Sequence, residues 1–563
     1  MSAARYEMKV EKDVGIPMRD GLVLRANVFR PTKEGRYPVI MAQGVYGKDI
    51  HFEDGFKPQW DKLIAVYPGL IEEGSSGKYL RWETVDPERF VPDGFVVVQV
   101  DSRGTGKSPG YLDPRSPGEM HDYYECIEWA GTQPWSNGKV GLCGISYYAF
   151  TQWAVAAMRP PHLAAICPWE GFVDYYRDST HQGGIFSNSF TTAWWPRQVL
   201  VNQYGNGNTH HRDRETGERP TGGPALSEEM LRYNRADYPG DLLAHPLVDA
   251  WYGERTPDLS RIEVPVLSAG NWGGPGLHLR GNIEGYLGVS SKQKWLSLHV
   301  GTHWESFYLP EYVAMQKKFF GHFLRGDDNG WDKQPPVLIQ VRRPDGSQAR
   351  AEQEFPLART QWTKFYLDAA NKSIVRDNPA KESSVSYEAL GEGVSFSTPP
   401  FEQETEVCGF VTLHLWVSSS TADMDIFANL RVFGPDDKEI VFNGAHEQTT
   451  MAKGWLRASH RKIDATRSLP HRVFHAHDEI QKLTPGELYE VDVEVWPTGM
   501  VFPKGYRLVL TLMGRDFQFP DTPGRMLHNH PQDRPPEVFG GTNTVTTGGA
   551  HACYLELPII PAP

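Results

Sequence analysis

The chain has 563 residues, a net charge of −13, 39% hydrophobic residues and 23% charged residues. This composition is typical of a large globular protein with several domains, and the negative charge argues against binding nucleic acid through a basic surface. The five cysteines are scattered without a closely spaced pair, which argues against a disulfide framework or a zinc motif.

The N-terminal segment, MSAARYEMKVEKD, contains no apolar stretch typical of a secretory signal. The chain also contains no run of about 18 apolar residues, the minimum for a membrane-spanning helix. We therefore expect a cytoplasmic protein without a membrane partner.

The first half of the chain alternates predicted strands and helices. The predicted strands are LVLRANVFRP, YPVIMAQG, FVVVQVDSRG, KVGLCG, LAAICPWE, VPVLSAG and KWLSLHVG. The segments HDYYECIEWAGTQPW and ISYYAFTQWAVAAM have apolar residues at helical spacing. This alternation predicts a doubly wound α/β sheet, in which ligands bind at the carboxyl ends of the strands.

Two further regions differ from this pattern. Residues 171–261 contain short helical stretches rich in aromatic residues, and we expect them to form a helical cap over the rim of the sheet. After a linker rich in Gly, Asp and Pro, residues 331–563 alternate apolar and polar positions, which predicts an all-β domain of the sandwich or jelly-roll type. The α/β domain would then comprise residues 1–170 and 262–330.

The stretch KVGLCGISYYAF places Ser146 in a turn between a predicted strand and a predicted helix. A nucleophilic serine often lies in such a turn with the pattern Gly-x-Ser-x-Gly, whose glycines permit a sharp, strained backbone. Gly144 occupies the first glycine position, but Tyr148 occupies the second and Ala149 follows it. The motif alone leaves a nucleophile and a helix-capping serine equally open.

A nucleophilic serine needs a base, a group that orients the base, and donors for the oxyanion. His303 follows the last predicted strand of the sheet and is our candidate base, whereas His299 lies inside that strand. The backbone N–H of Tyr147 and the phenol of Tyr46, which follows YPVIMAQG, are candidate oxyanion donors.

An ordered set of stretches resembles the CocE/NonD hydrolase family, a group of cocaine-esterase-like hydrolases and X-prolyl dipeptidyl peptidases. The matching stretches include YPVIMAQGVYGKD, VVQVDSRGTGKSPG, KVGLCGISYYA, VPVLSAGNW, FFGHFLRG and PKGYRLVLTL. The resemblance implies an α/β-hydrolase domain, a helical cap and a C-terminal jelly roll. It also implies that Ser146 is the nucleophile, His303 the base, and Tyr46 with the Tyr147 amide the oxyanion hole.

The sequence departs from the family pattern at the triad acid. The family carries an aspartate after the strand read here as VPVLSAG, where this chain has Gly273. Glu170, directly after LAAICPW, is our favoured replacement, with Asp174 close behind it. Glu284 and Asn271 are the other candidates to orient the histidine.

We expect a serine hydrolase that cleaves an ester or amide of a small molecule without a metal or cofactor. Trp169, Trp194 and Trp195 are candidate residues of an apolar substrate pocket. An acyltransferase on the same scaffold stays open, as does an aminopeptidase-type specificity. A non-catalytic ligand-binding homologue is a further alternative because the usual aspartate is absent. The sequence leaves a homodimer open.

Overall fold

The computed structural model describes residues 5–72, 74–444, 448–520, 527–528 and 533–561. Its first half is built on a largely parallel sheet, and its last third consists mainly of strands. None of the described helices is both long enough and apolar enough to span a bilayer.

The described residues of the first half contain ten strands. They are β1 Met8–Pro17, β2 Val23–Pro31, β3 Tyr37–Gly44, β4 Val96–Asp101, β5 Ser136–Ile145, β6 Leu163–Trp169, β7 His181–Gln182, β8 Ile185–Phe186, β9 Val266–Asn271 and β10 Lys294–His299. Every strand predicted in this half from the apolar pattern is confirmed.

The central sheet has the strand order β1-β2-β4-β3-β5-β6-β9-β10. Pairing is antiparallel for β1–β2 and β2–β4 and parallel from β4 onward. All six residues of β4 are buried, as expected for a strand covered by packing on both faces of a parallel sheet. The carboxyl ends of the parallel strands therefore meet at one rim.

Twelve α-helices lie in the part of this half that the structure describes. They are α1 Phe52–Gly55, α2 Lys57–Val66, α3 Pro87–Phe90, α4 Pro117–Thr132, α5 Tyr147–Ala156, α6 Asn188–Trp194, α7 Glu228–Tyr233, α8 Tyr238–Ala244, α9 Ala250–Gly253, α10 Leu279–Gly288, α11 Glu305–Tyr308 and α12 Pro310–Phe320. The predicted helices of residues 121–135 and 145–158 are confirmed as α4 and α5.

The insertion of residues 171–261 contains α6 to α9, the short β7–β8 hairpin and two π-helical turns, Tyr175–Thr180 and Trp195–Val199. It is anchored beside the rim, because the indole of Trp194 donates a hydrogen bond to the hydroxyl of Tyr46 at 3.0 Å. The assignment of residues 171–261 as a cap domain stays a prediction.

The C-terminal third is mostly strands, as predicted. They are β11 Val337–Arg343, β12 Gly346–Glu352, β13 Gln361–Asp368, β14 Ser373–Val375, β15 Ser383–Glu388, β16 Val394–Ser397, β17 Thr405–Ser419, β18 Asp425–Phe433, β19 Glu439–Ile440, β20 Phe442–Asn443, β21 Gln448–Thr449, β22 Ala452–Arg457, β23 Tyr489–Phe502, β24 Arg507–Met513, β25 Thr542–Thr547 and β26 Tyr554–Ile560, with one short helix, α13 Pro536–Phe539. The finer description as a jelly roll stays a prediction.

The β-domain is joined closely to the rest of the chain. Its first strand, β11, pairs in parallel with β10 and so extends the central sheet. The cap contacts it as well, since the guanidinium of Arg177 donates to the carbonyl of His475 at 2.9 Å. The β-domain therefore contacts both the central sheet and the cap.

Candidate active site

Ser146 occupies the tight turn between β5 and α5. Its backbone has φ 58° and ψ −108°, a conformation that costs a non-glycine residue about 1–3 kcal/mol. The turn is held by neighbouring main chains, because the N–H of Ser146 donates to Trp169 O at 3.0 Å and that of Ile145 donates to Glu83 O at 3.0 Å. A strained, well-supported serine at a strand end is typical of a nucleophile elbow.

The two unusual positions around the serine have steric explanations. A Cβ on Gly144 would lie 2.6 Å from Cβ of Tyr148, so only glycine fits there. A Cβ on Gly171 would lie 2.3 Å from Cβ of Ala149. Gly171 therefore provides the room that allows alanine at position 149.

The hydrogen-bond partner of Ser146 is His278. The serine Oγ lies 2.9 Å from His278 Nε2, and this histidine directly precedes α10. The sequence predicts His303 in this place and does not single out His278. The available signal was its position in the loop after β9, a rim strand, but many polar residues share that position.

His303 is separated from Ser146 by the imidazole ring of His278. Its imidazole stacks on that of His278, with the ring centroids 4.5 Å apart and the planes 11° from parallel. Both of its nitrogens contact carboxylates: Nδ1 is 2.9 Å from Glu170 Oε2, and Nε2 is 2.8 Å from Glu83 Oε1. The structure thus brings the predicted His303 and Glu170 together, while a direct contact of His303 with Ser146 is replaced by that of His278.

Glu170 also holds a second histidine. His299 Nε2 is 2.8 Å from Glu170 Oε1, and both side chains are fully buried. Burial lowers the pKa of His299 to about 3, so this imidazole is neutral and donates its Nε2–H to the carboxylate. The glutamate is therefore oriented by two imidazoles.

The two glutamates lie in an environment that disfavours negative charge. Burial raises the pKa of Glu170 well above its usual range, against the opposing effect of the Asn271 side chain, and burial raises the pKa of Glu83 similarly. Both residues also have positive φ, 45° and 63°. Together with Ser146, they place three strained non-glycine residues at one site, as is common in catalytic centres.

The other candidate acids are engaged elsewhere. Asp174 accepts from Arg177 Nη1 at 2.8 Å, and Glu284 accepts from Arg472 of the β-domain at 2.6 Å. Asn271 ends β9, and its amide donates to the carbonyl of Gly301 at 2.8 Å. The amide therefore supports the loop that carries His303.

The glycine at the usual aspartate position also has a physical reason. A Cβ on Gly273 would lie 2.3 Å from the backbone carbonyl oxygen of Asn443, the last residue of β20 in the β-domain. No side chain fits at position 273 unless that backbone moves. The β-domain thus excludes an acid from the usual side of the histidines.

The predicted oxyanion donors lie next to the serine. Tyr147 begins α5, so its backbone N–H belongs to the first turn, where N–H groups lack a helical acceptor. The ring of Tyr46 packs against that of Tyr147, with centroids 6.0 Å apart. Burial raises the pKa of Tyr46 further above its usual range, so the phenol keeps its proton for donation. Their role as an oxyanion hole stays a prediction.

The three predicted pocket tryptophans separate into two groups. Trp194 and Trp195 lie in the cap beside Tyr46 and Tyr238. Trp169 is fully buried behind the site, where its ring stacks on His299 at 5.3 Å and its indole donates to Ser306. Trp169 therefore supports His299 from within the core. A substrate-binding role of Trp194 and Trp195 stays a prediction.

One group of described side chains offers a metal-ligand set. Single ligand atoms of Glu170, His278 and His303 all lie within 4.8 Å of one another. Imidazole and carboxylate together suit several divalent transition metals. The expectation of an enzyme without a metal stays a prediction.

Two family models match the chain. One, described as X-Pro dipeptidyl-peptidase (S15 family), matches residues 20–305, and one for the C-terminal non-catalytic domain of X-Pro dipeptidyl-peptidases matches residues 329–556. The chain belongs to this family of serine hydrolases. The resemblance drawn from the sequence motifs is confirmed.

Individual relatives agree with this family. The chain is 24% identical to a cocaine esterase from Rhodococcus sp. over 98% of both proteins, and 22% identical to a putative Xaa-Pro dipeptidyl-peptidase from Rhodopirellula baltica over 96% of this chain and 89% of that protein. A solved structure of a CocE/NonD family hydrolase from Staphylococcus aureus is 33% identical, with a TM-score of 0.84, and covers 98% of this chain and 94% of that one. The chain is thus a member of an esterase- and peptidase-like family that acts on small ester or amide substrates.

Proposed function

We propose that the chain hydrolyses an ester or amide bond of a small molecule through an acyl-enzyme on Ser146. The observation that supports this proposal is the strained elbow, in which the Ser146 hydroxyl lies 2.9 Å from an imidazole nitrogen of His278. A serine hydroxyl is a weak nucleophile until an adjacent base accepts its proton.

His278 is the proposed base. Its Nε2 takes the proton of Ser146 Oγ as the oxygen attacks the substrate carbonyl, and the Tyr147 N–H with the Tyr46 O–H stabilises the oxyanion. The imidazolium then gives the proton to the leaving alcohol or amine as the bond to the carbonyl carbon breaks. Water, deprotonated by the same nitrogen, releases the acid and restores Ser146.

His303 is proposed to act through His278. The proton transfer makes His278 a cation, and the stacked His303 holds two carboxyl groups, those of Glu170 and Glu83, one ring away. Negative charge at that distance stabilises the imidazolium, as the aspartate does in a serine triad. This arrangement replaces the acid that Gly273 cannot supply.

One contact favours a different assignment of the base. Glu170 lies 2.9 Å from Nδ1 of His303, which is the nitrogen that a triad acid orients. If the His278 ring moved aside, His303 would form the triad Ser146–His303–Glu170 that the sequence analysis predicts.

The first experiment is intact-mass analysis after treatment with a fluorophosphonate, which reacts with activated serines. We expect one adduct on the parent protein and none on Ser146→Ala. An unlabelled but folded parent would contradict the proposal. If the parent protein is labelled, the second experiment compares His278→Ala with His303→Ala.

The histidine variants separate the two assignments of the base. If His278 is the base, His278→Ala abolishes labelling, whereas His303→Ala slows it and still permits it. The reverse result would assign the base to His303. Unfolding curves of both variants show whether a loss of labelling reflects a loss of structure.

A further inference from the structure

Arg115 is a buried arginine that the proposed chemistry does not use. It lies in the loop between β4 and α4, with its backbone at φ 61° and only 3% of its surface exposed. Its guanidinium carbon lies over four aromatic rings, 4.7 Å from the centroid of Trp194 and 5.0–5.5 Å from those of Phe172, Tyr147 and Tyr175. An arginine in such a box is held by cation–π attraction.

The guanidinium is poorly satisfied by polar partners. Its Nη1 donates to the hydroxyl of Tyr238 at 2.6 Å. Within the described part of the chain it forms no ion pair, and its buried Nε has no hydrogen-bond partner. A guanidinium carries five N–H donors and cannot lose its charge, so unused donors in a buried place are costly.

Among the described ion pairs, none joins Glu119 to the guanidinium of Arg115. Glu119 is committed to other donors: it accepts from Tyr147 Oη, from Ser102 Oγ and from the main-chain N–H of Arg115, each at 2.6 Å. Burial raises the pKa of Glu119, against the opposing effects of these donors and of the Arg115 charge. Glu119 is therefore engaged with these donors, and the Nε of Arg115 keeps an unused N–H.

Two aromatic residues, Tyr147 and Trp194, link Arg115 to the candidate site. Tyr147, whose ring lies under the guanidinium, is the residue after the nucleophile. Trp194, the nearest ring, donates its indole N–H to Tyr46 at 3.0 Å. Arg115 is therefore connected through the ring of Trp194 to Tyr46, the proposed oxyanion donor.

We infer that Arg115 recognises a carboxylate of the substrate, so the enzyme prefers esters or amides that carry a free acid group. A planar guanidinium with unused donors matches a carboxylate better than any other common group. This inference rests on the proposed function, because it names the substrate class of the same site.

A purely structural role is the competing explanation. Arg115 contacts both the start of α5 and the cap residue Tyr238, so it could simply fasten the cap to the sheet. A fastening role predicts no difference between acidic and neutral substrates in the parent protein. The two explanations therefore differ in a measurement that needs no mutation.

The test compares matched ester pairs on the full-length protein. The acyl pair is para-nitrophenyl hemiglutarate against para-nitrophenyl valerate, and the leaving-group pair is the butyrate ester of meta-hydroxybenzoate against that of its methyl ester. We expect kcat/KM to favour the acidic member of one pair by about 10- to 100-fold, the usual worth of a hydrogen bond to a charged group. The pair that responds identifies which half of the substrate carries the acid.

Variants tie the preference to the arginine. Arg115→Met should reduce the ratio of acidic to neutral kcat/KM to near one, and Arg115→Lys should retain part of it. Tyr238→Phe, which removes only the hydroxyl on Nη1, should lower the ratio less and serves if Arg115→Met does not fold. Arg159→Met is the matched control, because Arg159 also has φ 61° but is exposed, and it should leave the ratio unchanged.

The outcomes are distinct. A parent that is labelled by the fluorophosphonate at Ser146 but shows no preference for either acidic ester overturns the inference and leaves the proposed function standing. A preference that survives Arg115→Met also overturns it. A parent that is neither labelled nor active on any ester overturns the proposed function and the inference with it.

Discussion

Carboxyl groups are buried both at the rim of the α/β sheet and inside the β-domain, but their partners and the direction of their pKa shifts differ. Asp425 in β18 accepts two hydrogen bonds from Arg457 at 2.8 and 3.0 Å and one from Arg534 at 2.8 Å. Burial alone would raise its pKa, yet the two arginines lower it. Glu170 at the rim contacts His299 and His303 rather than arginines, and burial raises its pKa well above the usual range.

The backbone differs in the same sense. Asp425 lies in regular strand, whereas Glu170, Glu83 and Ser146 all have positive φ. A buried carboxylate that lies in a regular strand and is fully paired with arginines stabilises the fold. Buried groups with incomplete pairing on strained backbone cost stability and are retained where they perform chemistry. The contrast predicts which substitutions affect activity and which affect folding.

The largest expected effect is on activity, from Glu170→Gln. The amide keeps the shape of the side chain but removes the charge that supports His303, so kcat/KM should fall by about 10²- to 10⁴-fold, as when a triad acid is neutralised. Since the pKa of Glu170 is raised, the loss of charge should cost less folding stability than the Asp425 change below. Steady-state kinetics and urea unfolding of the same sample measure both. Near-parental activity would place Glu170 among the structural carboxylates.

Asp425→Asn should show the opposite profile. The change leaves Arg457 and Arg534 without their shared counter-charge, which should lower the free energy of unfolding by about 3–5 kcal/mol. The rate per fluorophosphonate-reactive Ser146 should stay at the parental value. Asp436→Asn is the control, since Asp436 is exposed and pairs only with Lys438. The contrast fails if Asp425→Asn unfolds like this surface control.

Gly273→Ala tests why the triad aspartate is missing. The added methyl would meet the carbonyl oxygen of Asn443 at 2.3 Å, so we expect a loss of about 1–3 kcal/mol of stability from overpacking. Gly273→Asp should be no better, because its first side-chain atom meets the same oxygen. Gly253→Ala in α9 is the control, where no atom lies within 4 Å of the new methyl. Equal unfolding midpoints for Gly273→Ala and the control would refute the steric explanation.

The smallest expected effect concerns buried histidines between the cap and the β-domain. His460 Nδ1 lies 3.2 Å from His477 Nδ1, and burial lowers the pKa of His460 to about 3 and that of His477 well below its usual range. Below about pH 6.5 these histidines bind protons in the unfolded chain but stay neutral in the folded chain. Stability should therefore fall with decreasing pH, by about 1.4 kcal/mol per pH unit for each such histidine.

His477→Asn isolates this contribution, because asparagine tolerates the φ of 54° at this position. Its unfolding free energy should fall less steeply than that of the parent between pH 6.5 and 5. Burial raises the pKa values of three carboxyl groups to about 6, and these act in the opposite sense in both proteins: Asp86, Asp101 and Asp178. Parallel pH curves for parent and variant would show that His477 takes up its proton in the folded state.

The strands and helices of this protein were predictable because their signals are local. FVVVQV is a nearly continuous apolar run, and it became the fully buried β4. The boundary between domains was less clear from sequence, since β11 belongs to the β-rich region yet pairs with β10 of the central sheet. Parallel pairing joins strands that are distant in sequence and leaves no local mark.

At the site, position after a rim strand identified Ser146, Glu170 and His303, and the structure places them in one cluster. The same rule could not choose His278 over other loop residues, because the loop after β9 must fold back before its histidine reaches the serine. Glu83 follows no predicted strand at all, and only its backbone contact with Ile145 and its side-chain contact with His303 reveal it.

The sequence by itself determined the family, the order of the strands along the chain and the identity of the elbow serine, because each depends on residues that are neighbours in the chain. Tertiary structure decided which histidine contacts the serine and why position 273 must be glycine. These two features depend on the start of α10 and on the end of β20, and only folding brings those segments to the rim. The sequence shows which chemical groups are present, and long-range packing determines which of these groups contact one another.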